Sequence, residues 1–380
     1  MSKKIHTLIL KSVSHCNLAC KYCSAHCESN KHNQKYIDPV NVINLFTLLL
    51  KNNNIPKQIK LLWHGGEPTL YFPDKAKYLM DNLSMIASEN NTEILFIMQT
   101  NGYHISKEWL NLIKIFNIGI GLSLDGPAEI HNQKRITQTN IGSYDSIINT
   151  IKLLKDNNIK VSLLSVIDER HINKEQLFCQ WLSDIKLSVK LNPCFDINTK
   201  NINSFNYYFE FLEKFYRHMI ESDNDLSIEP ISHMLQSILY KTKPTECNYS
   251  GECGQHILCL DYNNMLSACG RISDNNDNDS FVFENNINIL NFALNTITQK
   301  MSNSIIQRKQ IVNCQNCPHL FMCNAGCSAY LNTENIKDYC QCFKNFMEFM
   351  NNEALILLKK RLIKEKNYLK QKIKNFHENN

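Results

Sequence analysis

From Ile5 to about Cys194 the chain alternates short apolar runs with longer amphipathic stretches, and that alternation limits its fold more than any other feature. Strands are predicted at 7–10, 59–63, 93–98, 118–124, 160–166 and 188–191, with helices at 39–50, 74–88, 106–116, 144–155 and 174–182 between them. Strand-then-helix repetition requires parallel strands joined by right-handed crossovers. Six such units predict an α/β fold, a partial (β/α)6 barrel rather than a closed eightfold one, with chemistry at the C-terminal rim of its strands.

The loop after the first predicted strand reads Cys16-Asn17-Leu18-Ala19-Cys20-Lys21-Tyr22-Cys23, a C-x3-C-x2-C run. Three thiolates on one loop hold three corners of a cubane iron–sulfur cluster and leave the fourth iron open to a small molecule. A zinc site is the alternative, with His26 and Cys27 close enough to complete a tetrahedron, although zinc motifs favour paired C-x2-C spacings.

In this motif the sequence resembles the radical S-adenosylmethionine (radical SAM) enzymes, in which SAM chelates the open iron and its reductive cleavage gives a 5′-deoxyadenosyl radical. Four further motifs match that family in order. Trp63-His64-Gly65-Gly66-Glu67-Pro68 resembles the turn that holds the SAM amino group; Gly65 and Gly66 let backbone come close to a ligand and Glu67 accepts from an ammonium. A plain tight turn is the bland reading, but only 11 glycines occur in the chain and two adjacent ones are spent here. Gln99-Thr100-Asn101-Gly102 follows the third strand and Gly121-Leu122-Ser123-Leu124-Asp125-Gly126-Pro127 the fourth. The resemblance places Ser123 and Asp125 at the ribose, Arg135 at the SAM carboxylate, Tyr22 against adenine and Val166 in apolar packing.

A second cysteine set reads Cys253-x5-Cys259-x9-Cys269, then Cys314-x2-Cys317-x5-Cys323-x3-Cys327, then Cys340. It resembles the SPASM domain of radical SAM enzymes that modify peptides and proteins. By that resemblance Cys253, Cys259, Cys269 and Cys327 hold one auxiliary [4Fe-4S] cluster and Cys314, Cys317, Cys323 and Cys340 a second, making three [4Fe-4S] clusters with SAM as the other cofactor. Cys342 is the alternative to Cys340, and zinc-ribbon spacing is the alternative to iron–sulfur. Asn264 stands where the domain usually has Gly, and Asn tolerates the left-handed turn that Gly supplies. Overall the chain is similar to anaerobic sulfatase-maturating enzymes and their peptide-maturase relatives, including those that form cyclophanes. The sulfatase maturases have an aspartate, the proposed general base, directly after the cysteine matching Cys269. Here that residue is Gly270, followed by Arg271, and glycine takes no proton.

With 380 residues, 43% hydrophobic and 20% charged, the composition is that of an ordinary globular protein, and a net charge of +5, visible in the tail from Lys359 onward, does not argue for nucleic acid. No apolar stretch is long enough for a signal peptide or a membrane span, so a cytoplasmic protein is expected, whose 16 cysteines are ligands before they are disulfides. The leftover Cys27, Cys179, Cys194 and Cys247 read as buried small hydrophobes. The expected division is a barrel over 1–200, an aromatic-rich linking helix within 201–245, the cysteine-rich domain over 246–345, where periodicity fades and metal replaces a core, and a basic helix over 346–380. Tyr207, Tyr208, Phe211, Phe215 and Tyr216 read as a core-facing stripe, and Lys359, Lys360, Arg361, Lys364 and Lys366 as a solvated helix end. Because the first strand starts at once, leader recognition would use the barrel face, the cysteine-rich domain, the basic tail or another protein. The expected activity is hydrogen abstraction from a ribosomally made precursor peptide or protein to install a C–C or C–heteroatom crosslink, with a flavodoxin- or ferredoxin-type electron donor. Alternatives are a formylglycine-forming sulfatase maturase and a non-catalytic metal-binding scaffold.

Overall fold

The computed structural model describes residues 3–25, 33–194, 203–221, 226–274 and 280–378; His26 and Cys27 lie outside them. Strands β1 (Thr7–Lys11), β2 (Gln58–His64), β3 (Glu93–Thr100), β4 (Gly119–Ser123), β5 (Val161–Ile167) and β6 (Val189–Pro193) lie side by side in chain order, all parallel. The six predicted strands are therefore present within one or two residues of their expected ends. The sheet continues past both: β7 (Ile228–Glu229) adds parallel to β6, and β8 (Ile257–Leu260) adds parallel to the free edge of β1. β9 (Met265–Ser267) and β10 (Phe281–Val282) follow antiparallel, giving one open ten-stranded mixed sheet.

Helices α1 (Pro39–Lys51), α2 (Pro73–Glu89), α3 (Lys107–Ile115), the one-turn α4 (Ala128–His131), α5 (Tyr144–Asp156) and α6 (Glu175–Ile185) cover one face of the parallel strands. Local chemistry sets their ends: Asp38 and Ser106 side chains accept from the backbone N–H groups of Val40 and Trp109. Asn53, Asn91, Asn117 and Asn158 take the left-handed turn after α1, α2, α3 and α5, where a glycine-poor chain uses the residue with the next lowest cost. Trp63, Met98 and Leu122 point from the sheet into this layer. Helix α7 (Asn203–Glu221) buries Tyr208, Phe209, Phe211, Phe215 and Tyr216, and Phe211 and Phe215 stack at 5.6 Å. The aromatic stripe is thus core, with Tyr207 only half-buried; deleting one such ring costs about 3–5 kcal/mol.

The cysteine-rich region departs from its sequence reading. After α8 (Ile231–Tyr240), α9 (Cys247–Ser250) and α10 (Gly270–Asp274) comes α11 (Ile287–Ile311), a 25-residue helix where periodicity seemed to fade. Its stripe of Leu290, Ala293, Leu294, Ile297, Met301 and Ile305 is diluted by Asn, Ser and Thr, yet all six are buried. They belong to the same hydrophobic cluster as the barrel, as do Met322 of α12 (Leu320–Cys323) and Phe343 of α13 (Ile336–Phe349). The region therefore has a core of its own chain, and any metal adds to it. The final helix α14 (Leu355–Glu378) carries the exposed Lys359, Lys360, Lys364 and Lys366, with Arg361 half-buried and paired to Glu365. Cys179 and Cys194 are buried, as expected, and Asn264 is left-handed at φ 64°. Cys247, read as a buried hydrophobe, is instead exposed. Among the described residues no helix is long and apolar enough to cross a membrane.

Candidate active site

The sheet face opposite the helices ends in a polar row. Register pairs Lys11 with His64 and Val166 with Asn192, and the pairing of Gln99 with Gly121 puts Gln99 and Ser123 on the same face. Gln99 donates to Ser123 Oγ at 3.0 Å. His64 Nδ1 and Asn192 Oδ1 are buried without a protein partner, so this row presents polar atoms that await a ligand. Burial pulls the His64 imidazole down to about 4, leaving it neutral near pH 7.

Above the row, the Gly65-Gly66 turn is joined to the segment that enters the cysteine loop. Ser12 N–H donates to His64 O, Gly66 N–H to Val13 O and Glu67 N–H to His15 O, at 2.8–2.9 Å. A Cβ on Gly66 would stand 1.9 Å from His15 O, and Gly65 has φ +116°. Both glycines are thus demanded by close approach of two backbones, one of which carries Cys16. Glu67, only 1% exposed, accepts from Thr69 N, Thr69 Oγ1 and Thr100 Oγ1 through Oε1 and from Asn101 N through Oε2. Its side chain therefore ties the second strand's turn to the third's. Asn101 carries the connection onward, donating from Nδ2 to Asn17 Oδ1 at 2.7 Å and to Cys16 Sγ at 3.4 Å. Cys16, Cys20 and Cys23 are all half-buried, and burial, opposed by Arg135 and reinforced by Cys23 and Cys16, pushes the Cys20 thiol up to about 12.

Asp125 is fully buried and saturated. Its Oδ1 accepts from Arg135 Nε at 3.0 Å and Val166 N at 3.1 Å; its Oδ2 accepts from Arg170 Nη2 at 3.2 Å and from the Tyr22 hydroxyl. Burial alone would raise its pKa, but the Arg135 and Arg170 guanidiniums outweigh that and hold it well below the usual carboxylate range. Both guanidiniums lie 5.3 Å from the Tyr22 ring centroid. Arg170 is braced by Asp168, with Nε at 2.7 Å and 3.0 Å from its two oxygens, and His171 Nε2 is 2.7 Å from Asp125 O.

On the other side, Cys259 of β8 pairs in register with Ile9 and so shares the inward face. Burial, then Cys269 and Cys327, push the Cys253 thiol up, and burial, opposed by Lys11 and reinforced by Cys269, pushes Cys259 up to about 12. Cys247 stands in electrostatic reach of Cys327 and Cys269. A cavity is lined by Cys314, Cys317, Cys323 and Cys340; Cys342 is not part of that lining and, like Cys323, packs against the hydrophobic cluster. Among the described residues no three cysteine sulfurs lie within 4.8 Å of one another.

Several of these residues escape sequence reasoning. Asn101 sits in a recognised turn but its thiolate contact is visible only in three dimensions. Arg170 and Asp168, directly after the fifth strand, carry the signal of chemistry at a strand's C-terminal end. Lys11, His64 and Asp274 carry the same or none: Lys11 pairs with Asp274, 4% and 5% exposed, and Ser24 Oγ donates to Asp274 Oδ2 at 3.3 Å.

Comparison with known proteins agrees with this geometry. Residues 10–175 match the model of the radical SAM superfamily. A cysteine-type anaerobic sulfatase-maturating enzyme of Clostridium novyi is 26% identical over 91% of this chain and 95% of its own. The radical SAM cyclopropyl synthase TigE of Paramaledivibacter caminithermalis is 29% identical over 53% of this chain and 45% of its own. Among solved structures, native anSMEcpe with bound AdoMet and Cp18Cys peptide superposes with a TM-score of 0.75 at 20% identity, covering 93% of this chain and 99% of that one. Streptococcus suis SuiB bound to S-adenosylmethionine gives a TM-score of 0.58 at 14% identity over 86% and 74%. Residues 10–175 thus carry a radical SAM domain, and along most of its length the chain is similar to anaerobic sulfatase-maturating enzymes in sequence and fold.

Proposed function

We propose that this enzyme is a peptide maturase that removes two hydrogens from a ribosomally made peptide to form a crosslink. The observation that carries this reading is the polar row, roofed by the cysteine loop and flanked by Cys259, with His64 Nδ1 and Asn192 Oδ1 left for a substrate. Relatives over most or half of the chain are named as a sulfatase-maturating enzyme and a radical SAM cyclopropyl synthase.

When bound, the Cys16/Cys20/Cys23 cluster and SAM supply a 5′-deoxyadenosyl radical that takes one hydrogen atom. The chain's residues do the rest. The Gly65-Gly66 turn offers backbone acceptors for the SAM ammonium, and Glu67, occupied by four donors, acts by holding that turn. Arg135 spends Nε on Asp125 and turns its terminal nitrogens to the SAM carboxylate. Ser123 meets the ribose, Tyr22 and Val166 border the adenine end, and saturated Asp125 acts by fixing Tyr22 and Arg135. Cys253, Cys259, Cys269 and Cys327, and Cys314, Cys317, Cys323 and Cys340, are the proposed ligands of two auxiliary clusters, which would accept the one electron left when the substrate radical forms its new bond and gives up a proton; a flavodoxin- or ferredoxin-type protein is the proposed donor of the electron that cleaves SAM. Asp274 is the proposed proton acceptor. It lies four residues beyond Gly270, on the same short helix, paired with Lys11.

Asp274 also favours the second reading, formylglycine formation, because the loss of an aspartate at 270 does not leave the region without a carboxylate. The experiment is to incubate reconstituted enzyme, SAM and reductant with an aromatic-containing peptide and with a sulfatase-motif peptide. A two-hydrogen loss in the first, resistant to hydrazide, supports the crosslink. A hydrazide-reactive aldehyde in the second, with the first unchanged, overturns it.

A further inference from the structure

Outside the active site, Glu229, His233 and Glu246 bring three ligand atoms within 4.8 Å of one another. Glu229 ends β7, where its register partner on β6 is Lys190; His233 lies in the first turn of α8; Glu246 precedes α9, at the start of the cysteine-rich region. His233 Nδ1 is 2.9 Å from Glu229 Oε2 and 3.9 Å from Glu246 Oε1. Neither contact satisfies that nitrogen: Nδ1 is buried with no hydrogen-bond partner, and so is Glu246 Oε2. Glu246 is 9% exposed, so the orphaned oxygen belongs to a side chain removed from water.

We propose that these three residues bind a divalent first-row transition cation of the zinc type. Ligand atoms about 2.0–2.2 Å from one tetrahedral ion stand about 3.4 Å apart, which falls between the two distances seen. One imidazole with two carboxylates selects such an ion over magnesium or calcium, which take oxygen ligands alone. One competing cation is in place, Lys190, whose Nζ is 2.8 Å from Glu246 Oε1. That leaves one unit of negative charge at the site, and Lys190, 41% exposed, is free to swing into solvent when an ion enters. The bound ion joins the linking segment, through β7 and α8, to the residue before Cys247, and so clamps the approach to the first auxiliary cysteine group. The site holds whatever the enzyme's substrate is.

The test uses anaerobically reconstituted holoenzyme equilibrated with zinc alone, with zinc and iron counted by plasma mass spectrometry. Wild-type protein is expected to hold about one zinc per chain beyond its iron. E246Q and H233N lose it with iron content and deoxyadenosine release unchanged. K190M, which removes the competing cation, binds zinc about tenfold more tightly. Zinc content equal in wild type and both variants, or no zinc in wild type and K190M, overturns the proposal and leaves an ordinary His–Glu ion pair.

Discussion

Substituting Gly66 by alanine tests whether the glycine turn positions the cysteine loop. The added Cβ would lie 1.9 Å from His15 O and 2.5 Å from His15 C, about 1.5 Å short of van der Waals contact with backbone that has nowhere to rotate. The segment at His15 must yield, and Cys16 follows it directly. Relief breaks the bonds from Gly66 N–H to Val13 O and Glu67 N–H to His15 O, each worth about 0.5–1.5 kcal/mol, on top of about 1–3 kcal/mol of overpacking. A domain of this size tolerates a loss of that order, so the variant folds. Displacing a reacting group by about 1 Å costs about 10²-fold in rate. G66A is therefore expected to keep its far-ultraviolet circular dichroism and to release deoxyadenosine from SAM at least about 10²-fold more slowly. G119A is the control, because a Cβ there meets nothing closer than Phe96 O at 3.9 Å. G66A that cleaves SAM like wild type would refute the reasoning.

Asp125→Asn leaves Arg135 and Arg170 buried beside an uncharged amide and is expected to cost about 3–5 kcal/mol, read as a lower denaturant midpoint. Because its folded pKa is depressed, the Asp125 contribution is complete above its unfolded value near 3.9 and is lost as pH falls toward the folded one. Wild-type stability therefore drops more steeply than D125N stability below about pH 4, and parallel acid limbs would speak against it. Cys340→Ser is expected to lower bound iron by about four per chain while Cys342→Ser leaves it unchanged; equal losses would remove the distinction between the two. Asp274→Asn should preserve deoxyadenosine release and abolish crosslinked product, with loss of both indicating a structural role instead.

The parallel core was legible because its apolar runs and amphipathic stretches keep one period each, and because asparagine closes the helices at positions such as Asn53 and Asn117. The extension of the sheet was not. Nothing local in Ile257–Leu260 says that it will pair with β1, since that choice depends on an edge left open 250 residues earlier. Helix α11 was hidden for another reason: its buried stripe is spaced by Asn, Ser and Thr, which mask the contrast between faces. At the site, the motifs were readable as ordered residues, but their division of labour was not. Glu67 and Asp125 read as ligand contacts, and each also accepts four protein donors, a property of packing and not of order. Asp274 illustrates the converse, a carboxylate in no motif that folding sets beside Lys11 and Ser24.

The central claim is that the cysteine loop holds a SAM-cleaving cluster and the cysteine-rich region two more. It is tested by measuring iron and sulfide per chain in anaerobically reconstituted protein, together with 5′-deoxyadenosine released by SAM and dithionite. The account predicts about twelve irons with matching sulfide, and deoxyadenosine formed. Cysteines filled by zinc in place of iron, with SAM left intact, would contradict it.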